Sequence, residues 1–162
     1  MKLLNSSIEV ALRILILLDE LNKEIDLQKL IFLDYALLHA CDFDINQKNL
    51  VPASPFRKEE LSIKSELLKN ALKILCEKQL IDVVFNSNGI VYKNNELSKL
   101  FLKKISSEYA IEIKEQAKWV KKHFRKYFEY QKMKQYFDCT LDKWESEFSV
   151  YGLYSEDYAN AK

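Results

Sequence analysis

Apolar residues from Ile8 to Leu21 fall on almost every face of a helix, broken only by Glu9, Arg13, Asp19 and Glu20. That density predicts a helix from about Ser7 to Leu21 that neighbours must cover on most sides. Ser6-Ser7-Ile8-Glu9 reads as a capping box, a serine hydroxyl taking a free amide while Glu9 reaches back. The run is too short for a membrane span and no small-residue cleavage site follows, so it reads as a core helix of a cytoplasmic protein.

A second helix is predicted from Leu27 to Cys41, capped by Asp26, with Leu27, Leu30, Ile31 and Leu38 on one face. Asp34 falls in the middle of that apolar face, the oddest placement in the chain. Pro52 and Pro55 mark the stretch from Asp42 to Arg57 as a loop. A third helix, about Lys58 to Gln79, carries Leu61, Leu67, Leu68, Ala71, Leu72 and Leu75 on its apolar side, with Lys64 intruding.

The pattern then changes period. Leu80 to Phe85 is β-branched and aromatic, Asn86-Ser87-Asn88-Gly89 is turn chemistry, and Ile90-Val91-Tyr92 returns. Helices, a long helix and a hairpin, in that order, predict a winged helix-turn-helix with the hairpin as wing. Further helices are expected from Asn95 to Ile105 and from Ser107 to about Phe128, the latter with a seam of Tyr109, Ile113, Ala117, Val120 and Phe124. A last helix is placed around Leu141 to Phe148, with Trp144 and Phe148 on one side. The expected fold class is therefore mainly α with a small β-hairpin. A winged-helix core spans 1–105 with its wing near 80–93, a helical extension spans 106–150, and a polar tail spans 151–162.

Composition narrows the function. Charges nearly cancel, 25 basic against 24 acidic, which does not suit a whole-molecule polyanion binder. Three dispersed cysteines, Cys41, Cys76 and Cys139, form no CxxC or Cys/His cluster and read as reduced thiols. The two histidines, His39 and His123, lack metal-ligand spacing, and with two glycines there is no phosphate loop or nucleophile elbow. No catalytic, metal or cofactor residue is expected.

Two features have a bland and a functional reading. A bare carboxylate at Asp34 would cost several kcal/mol, so it needs a cation, and Arg13, Arg57 and Lys64 are at hand. Either it forms a structural ion pair, or Asp34, Tyr35 and His39 line a patch whose counter-charge comes from a partner. On the long helix Lys114, Lys118, Lys121, Lys122 and Arg125 share one face, which is either a solvated surface or a ridge that tracks phosphates. The third helix mixes Lys69 and Lys73 with Glu66 and Glu77, unlike a helix built to read the major groove. Tyr127, Phe128, Tyr130, Tyr136 and Phe137 crowd the next stretch, and some are expected at the surface, where they favour a protein interface.

The chain resembles the middle-component family of bacterial ABC-three-component conflict systems, which includes the small subunit of Lamassu-type antiphage defence. The matching residues begin with Asn5-Ser6, Glu9 and Ala11-Leu12-Arg13, then Asp26-Leu27, Leu30, Asp34-Tyr35, Leu37, His39 and Asp42. They continue through Leu50, Pro52, Pro55-Phe56-Arg57, Glu60, Leu80, Gly89 and Tyr92. Tyr109, Ala117-Lys118-Trp119-Val120, Phe124, Trp144 and Glu147-Phe148 complete the series. Two positions depart from the pattern: Ala11 stands where a glycine is expected, and Ile63-Lys64 where a pair of arginines is.

The resemblance implies a non-catalytic adaptor between an ATPase of the structural-maintenance-of-chromosomes or Rad50 type and an effector, often a nuclease. DNA contact would be indirect or non-specific, with no membrane role. Arg13, Asp34, Tyr35, His39 and Arg57 are then expected to build the family's distinctive surface or its support, and Trp144 and Phe148 to anchor the extension. The competing reading is a stand-alone winged-helix transcriptional regulator that grips DNA with the basic ridge.

Overall fold

A computed structural model describes residues 6–52, 55–87 and 89–150, with side chains followed through Lys143. Helix α1 spans Ser7–Leu21 and starts where the Ser6 hydroxyl accepts the Glu9 amide at 3.3 Å. It stops at Asn22, whose left-handed backbone (φ 49°) asparagine tolerates. Val10, Ile14, Leu17 and Leu18 are fully buried, because α1 is covered on several sides by the helices and strand that follow.

Strand β1, Ile25–Asp26, leads into α2, Leu27–Leu38, which Asp26 caps by accepting the Lys29 amide. A 3-10 turn at Ala40–Asp42 replaces the last expected turn of α2. Helix α3 spans Arg57–Glu77, and β2, Ile81–Asn86, pairs antiparallel with β3, Gly89–Asn94. The hairpin closes on Asn86 opposite Gly89, whose φ of +106° suits glycine and strains other residues. The sheet is larger than the expected hairpin. β1 pairs with the far side of β3, Ile25 opposite Tyr92, giving the strand order β1-β3-β2. A two-residue strand is too short to show a period, so only its partner reveals it.

Helix α4, Glu96–Lys103, begins with a full capping box between Asn95 and Ser98. Helix α5, Glu108–His123, packs on α1 and α2. It ends short of the expected Phe128: a 3-10 turn, Phe124–Tyr127, tightens the chain and drives Phe124 into the interior. Helix α6, Tyr130–Val150, starts well before the expected Leu141. Its inner stripe is Met133, Phe137 and Leu141, one residue per turn, too sparse to stand out in a polar sequence.

The aromatic residues after α5 fill the interior more than they face solvent. Phe137 is fully buried against Phe32 at 4.7 Å and Phe43 at 4.7 Å, and Tyr127 stacks flat on Tyr136 at 4.2 Å. Tyr130 stays exposed. One continuous hydrophobic cluster runs from Val10 on α1 to Leu141 on α6. The protein is mainly helical with a small antiparallel sheet, and among the described residues no helix is long and apolar enough to cross a membrane.

Candidate functional site

Along α3, Arg57, Glu60 and Lys64 recur at a helical spacing and so share one face. That face meets Asp34, Tyr35, His39 and Asp42 from α2 and the turn after it, while α1 contributes Arg13. Arg13 grips Asp34 with a two-pronged contact, Nε to Oδ1 at 2.8 Å and Nη2 to Oδ2 at 3.1 Å. The Lys64 ammonium donates to the same carboxylate at 3.3 Å. All three are sealed from solvent, at 1%, 0% and 4% exposure for Arg13, Asp34 and Lys64.

A second group lies alongside. Arg57, fully buried, places Nη2 2.9 Å from Asp42 Oδ1 and Nε 2.7 Å from Oδ2, and the Tyr35 hydroxyl donates to Oδ2 at 2.8 Å. Arg57 therefore serves Asp42; the cations that meet Asp34 are Arg13 and Lys64. His39 Nε2 sits 2.8 Å from Glu60 Oε1, and its ring lies 4.6 Å from the Tyr35 ring. His39 Nδ1 and Glu60 Oε2 are buried with no hydrogen-bond partner among the described residues.

Charge in this lattice balances when His39 is neutral: Arg13, Arg57 and Lys64 against Asp34, Asp42 and Glu60. Burial alone would raise the Asp34 carboxyl, but Arg13 and Lys64 outweigh it and hold it below the usual carboxylate range. Glu60 is lowered too, burial being overcome by the His39 hydrogen bond and by nearby Lys64 and Arg57. Burial and Asp42 push the Tyr35 hydroxyl upward, so it stays a donor. Asp34 and Glu60, both lowered, are each paired across helices, and Asp42 is held by Arg57 and Tyr35.

Arg13, Asp34, Tyr35, His39 and Arg57 thus come together inside the protein, all five buried. Sequence reasoning undervalued Asp42 and Glu60, although the spacing of Arg57, Glu60 and Lys64 was there to be read. Trp144 and Phe148 belong to α6, but their side chains lie outside the described residues.

The basic face is more neutral than its sequence suggests. Lys114 donates to the Leu102 and Ile105 carbonyls, closing the end of α4. Lys118 pairs with Glu115 at 2.9 Å and Lys121 with Glu20 at 3.6 Å. Lys122 and Arg125 remain exposed, without an ion pair among the described residues. Beside them His123 bonds the Tyr136 hydroxyl at 2.8 Å and stacks on Trp119, and burial holds its ring below the ordinary value of 6.5. The three cysteines are free thiols, Cys41 and Cys139 at the surface. No group of three or more metal-ligating side chains converges among the described residues.

Compared with known proteins, residues 3–147 match a family model described as ABC-three component system Middle Component 2. No curated protein matches, and no solved structure does.

Proposed function

The chain belongs to the Middle Component 2 family of ABC-three component systems, and from that we propose that it is a non-catalytic adaptor joining an ATPase of the SMC or Rad50 type to an effector, a nuclease, in bacterial antiphage defence of the Lamassu kind. The observation that carries this reading is the lattice itself. Its charged groups neutralise one another across α1, α2 and α3, which suits a rigid body that transmits force and does no chemistry on a substrate. The element order over 1–105, three helices and then a hairpin, supports a winged helix with β2 and β3 as its wing, and 106–150 is read as the extension. Its mixed surface charge favours protein contacts over duplex DNA, and a cytoplasmic location fits such a partner set.

The test is reconstitution. The ATPase, the effector and this chain are expected to co-elute as one complex, and omitting this chain should separate the other two. Co-elution of ATPase and effector without it would sink the adaptor reading. Lys122 and Arg125 keep the regulator reading alive, and a salt series on duplex DNA decides it. The isolated chain is expected to bind weakly and without sequence preference; tight, sequence-dependent binding would favour the regulator.

A further inference from the structure

Helix α4 turns apolar side chains the wrong way for a core helix. Ser98 and Leu102 are buried, whereas Leu97, Leu100 and Phe101 are 48%, 57% and 41% exposed. These three recur at i, i+3 and i+4, a stripe that forms one wall of a groove. Ile8, Leu12 and Leu15 of α1 form another wall at the same helical spacing, and Ile74 and Leu75 of α3 close it. The cavity measures about 740 Å³.

We propose that this groove seats a short amphipathic helix of a partner protein, apolar on one face and acidic along its margins. The inference rests on the adaptor reading and deepens it by naming a docking surface and its occupant. Walls made of helical ridges accept the ridge of another helix, and two turns of wall match about 10 Å of it. Charge selects the sign of the margins. Among the described residues, the only charged ones lining the groove are Lys78 and Lys104, and no carboxylate lines it. Neither lysine is ion-paired among the described residues, while Lys69, Lys99 and Lys118 on neighbouring surfaces each have a glutamate. An apolar floor offers phosphates nothing, so a nucleic acid does not fit here. An exposed apolar patch of this kind on a soluble domain marks a contact site.

The probe is a fluorescein-labelled synthetic helix of about four turns with one leucine face and glutamate margins, read by anisotropy against the full-length chain. It is expected to bind, and a version with lysine margins to bind about tenfold more weakly or worse. Leu100→Glu and Phe101→Glu should each weaken binding by about tenfold or more while the melting temperature holds, because both side chains are already exposed. In the reconstituted system the same variants should lose one partner subunit. Equal binding of both helices, or of neither, overturns the proposal. So does self-association that Phe101→Glu abolishes, which assigns the groove to a second copy. A fluorescent fatty acid that binds there and resists displacement by the helix also overturns it, as does helix binding that emerges only after residues 2–5 are deleted. The two readings fail differently. Variants that still assemble the whole complex sink the groove and leave the adaptor, whereas wild-type chain that joins neither partner sinks the adaptor.

Discussion

Helices α3 and α4 invert the usual rule in opposite senses. The N-terminal half of α3 buries Arg57 and Lys64, with Glu60 half-buried between them. The outer face of α4 instead turns Leu97, Leu100 and Phe101 toward water. Ordinary packing would put the charges outside and the groove's leucines inside. Buried ions, even well paired, hold helices together less strongly than an apolar core of equal volume, but they tolerate only one arrangement of partners. Exposed apolar side chains add nothing to the stability of the free chain and wait for something to cover them. The charged half of α3 therefore sets register, and the outer face of α4 is available for contact.

The largest expected effect tests the first half. Asp34→Ala strands Arg13 and Lys64 in the interior and should cost about 3–5 kcal/mol in denaturant unfolding. Replacing the whole triad, Arg13→Met with Asp34→Leu and Lys64→Met, should recover most of that loss. A triple variant as unstable as the single one would mean the triad itself, not the stranded charge, supports the fold.

A smaller loss is expected from Tyr35→Phe. It removes one hydrogen bond to Asp42 while Arg57 still satisfies the carboxylate, so about 1 kcal/mol should go. A loss as large as that of Asp34→Ala would show that the second group depends on Tyr35 more than on Arg57.

Acid should act next, and outside the lattice first. His123 is held below its ordinary value of 6.5 by burial, with Asp44 pulling the other way, so the unfolded chain takes up that proton before the folded one does. The stability it contributes is full above 6.5 and erodes as pH falls below that and through the folded-state value. Thermal melts from about pH 8 to about pH 5 should show this step, and His123→Phe should remove it. Asp34 and Glu60, both lowered, add their own loss only when pH falls below their ordinary values of 3.8 and 4.5. The smallest effect belongs to the groove: Leu100→Ser should change unfolding free energy by no more than about 0.5 kcal/mol. A larger drop would mean that Leu100 packs as core.

Local pattern was enough for several elements. Ser6 and Asp26 are caps in fact as in sequence, because a cap is satisfied within three residues. The turn ending in Gly89 placed the hairpin for the same reason. Glu9, by contrast, does not close the expected capping box, and its Oε2 is buried without a hydrogen-bond partner among the described residues. Of the aromatic crowd after α5, Tyr130 stays at the surface and Phe137 is core; composition does not tell the two apart until α6 folds back on α2.

Chain chemistry by itself determined the helices, their caps, the hairpin and the demand that Asp34 find a cation. Tertiary structure alone decided which cation answered, since Arg13 and Lys64 lie 21 and 30 residues from Asp34 and meet it only when three helices pack. It also decided that β1 joins the sheet, that α5 breaks at Phe124, and that α4 turns Leu97 and Leu100 outward. Each of those outcomes depends on distant groups arriving in one place, and periodicity along a single segment carries no record of them.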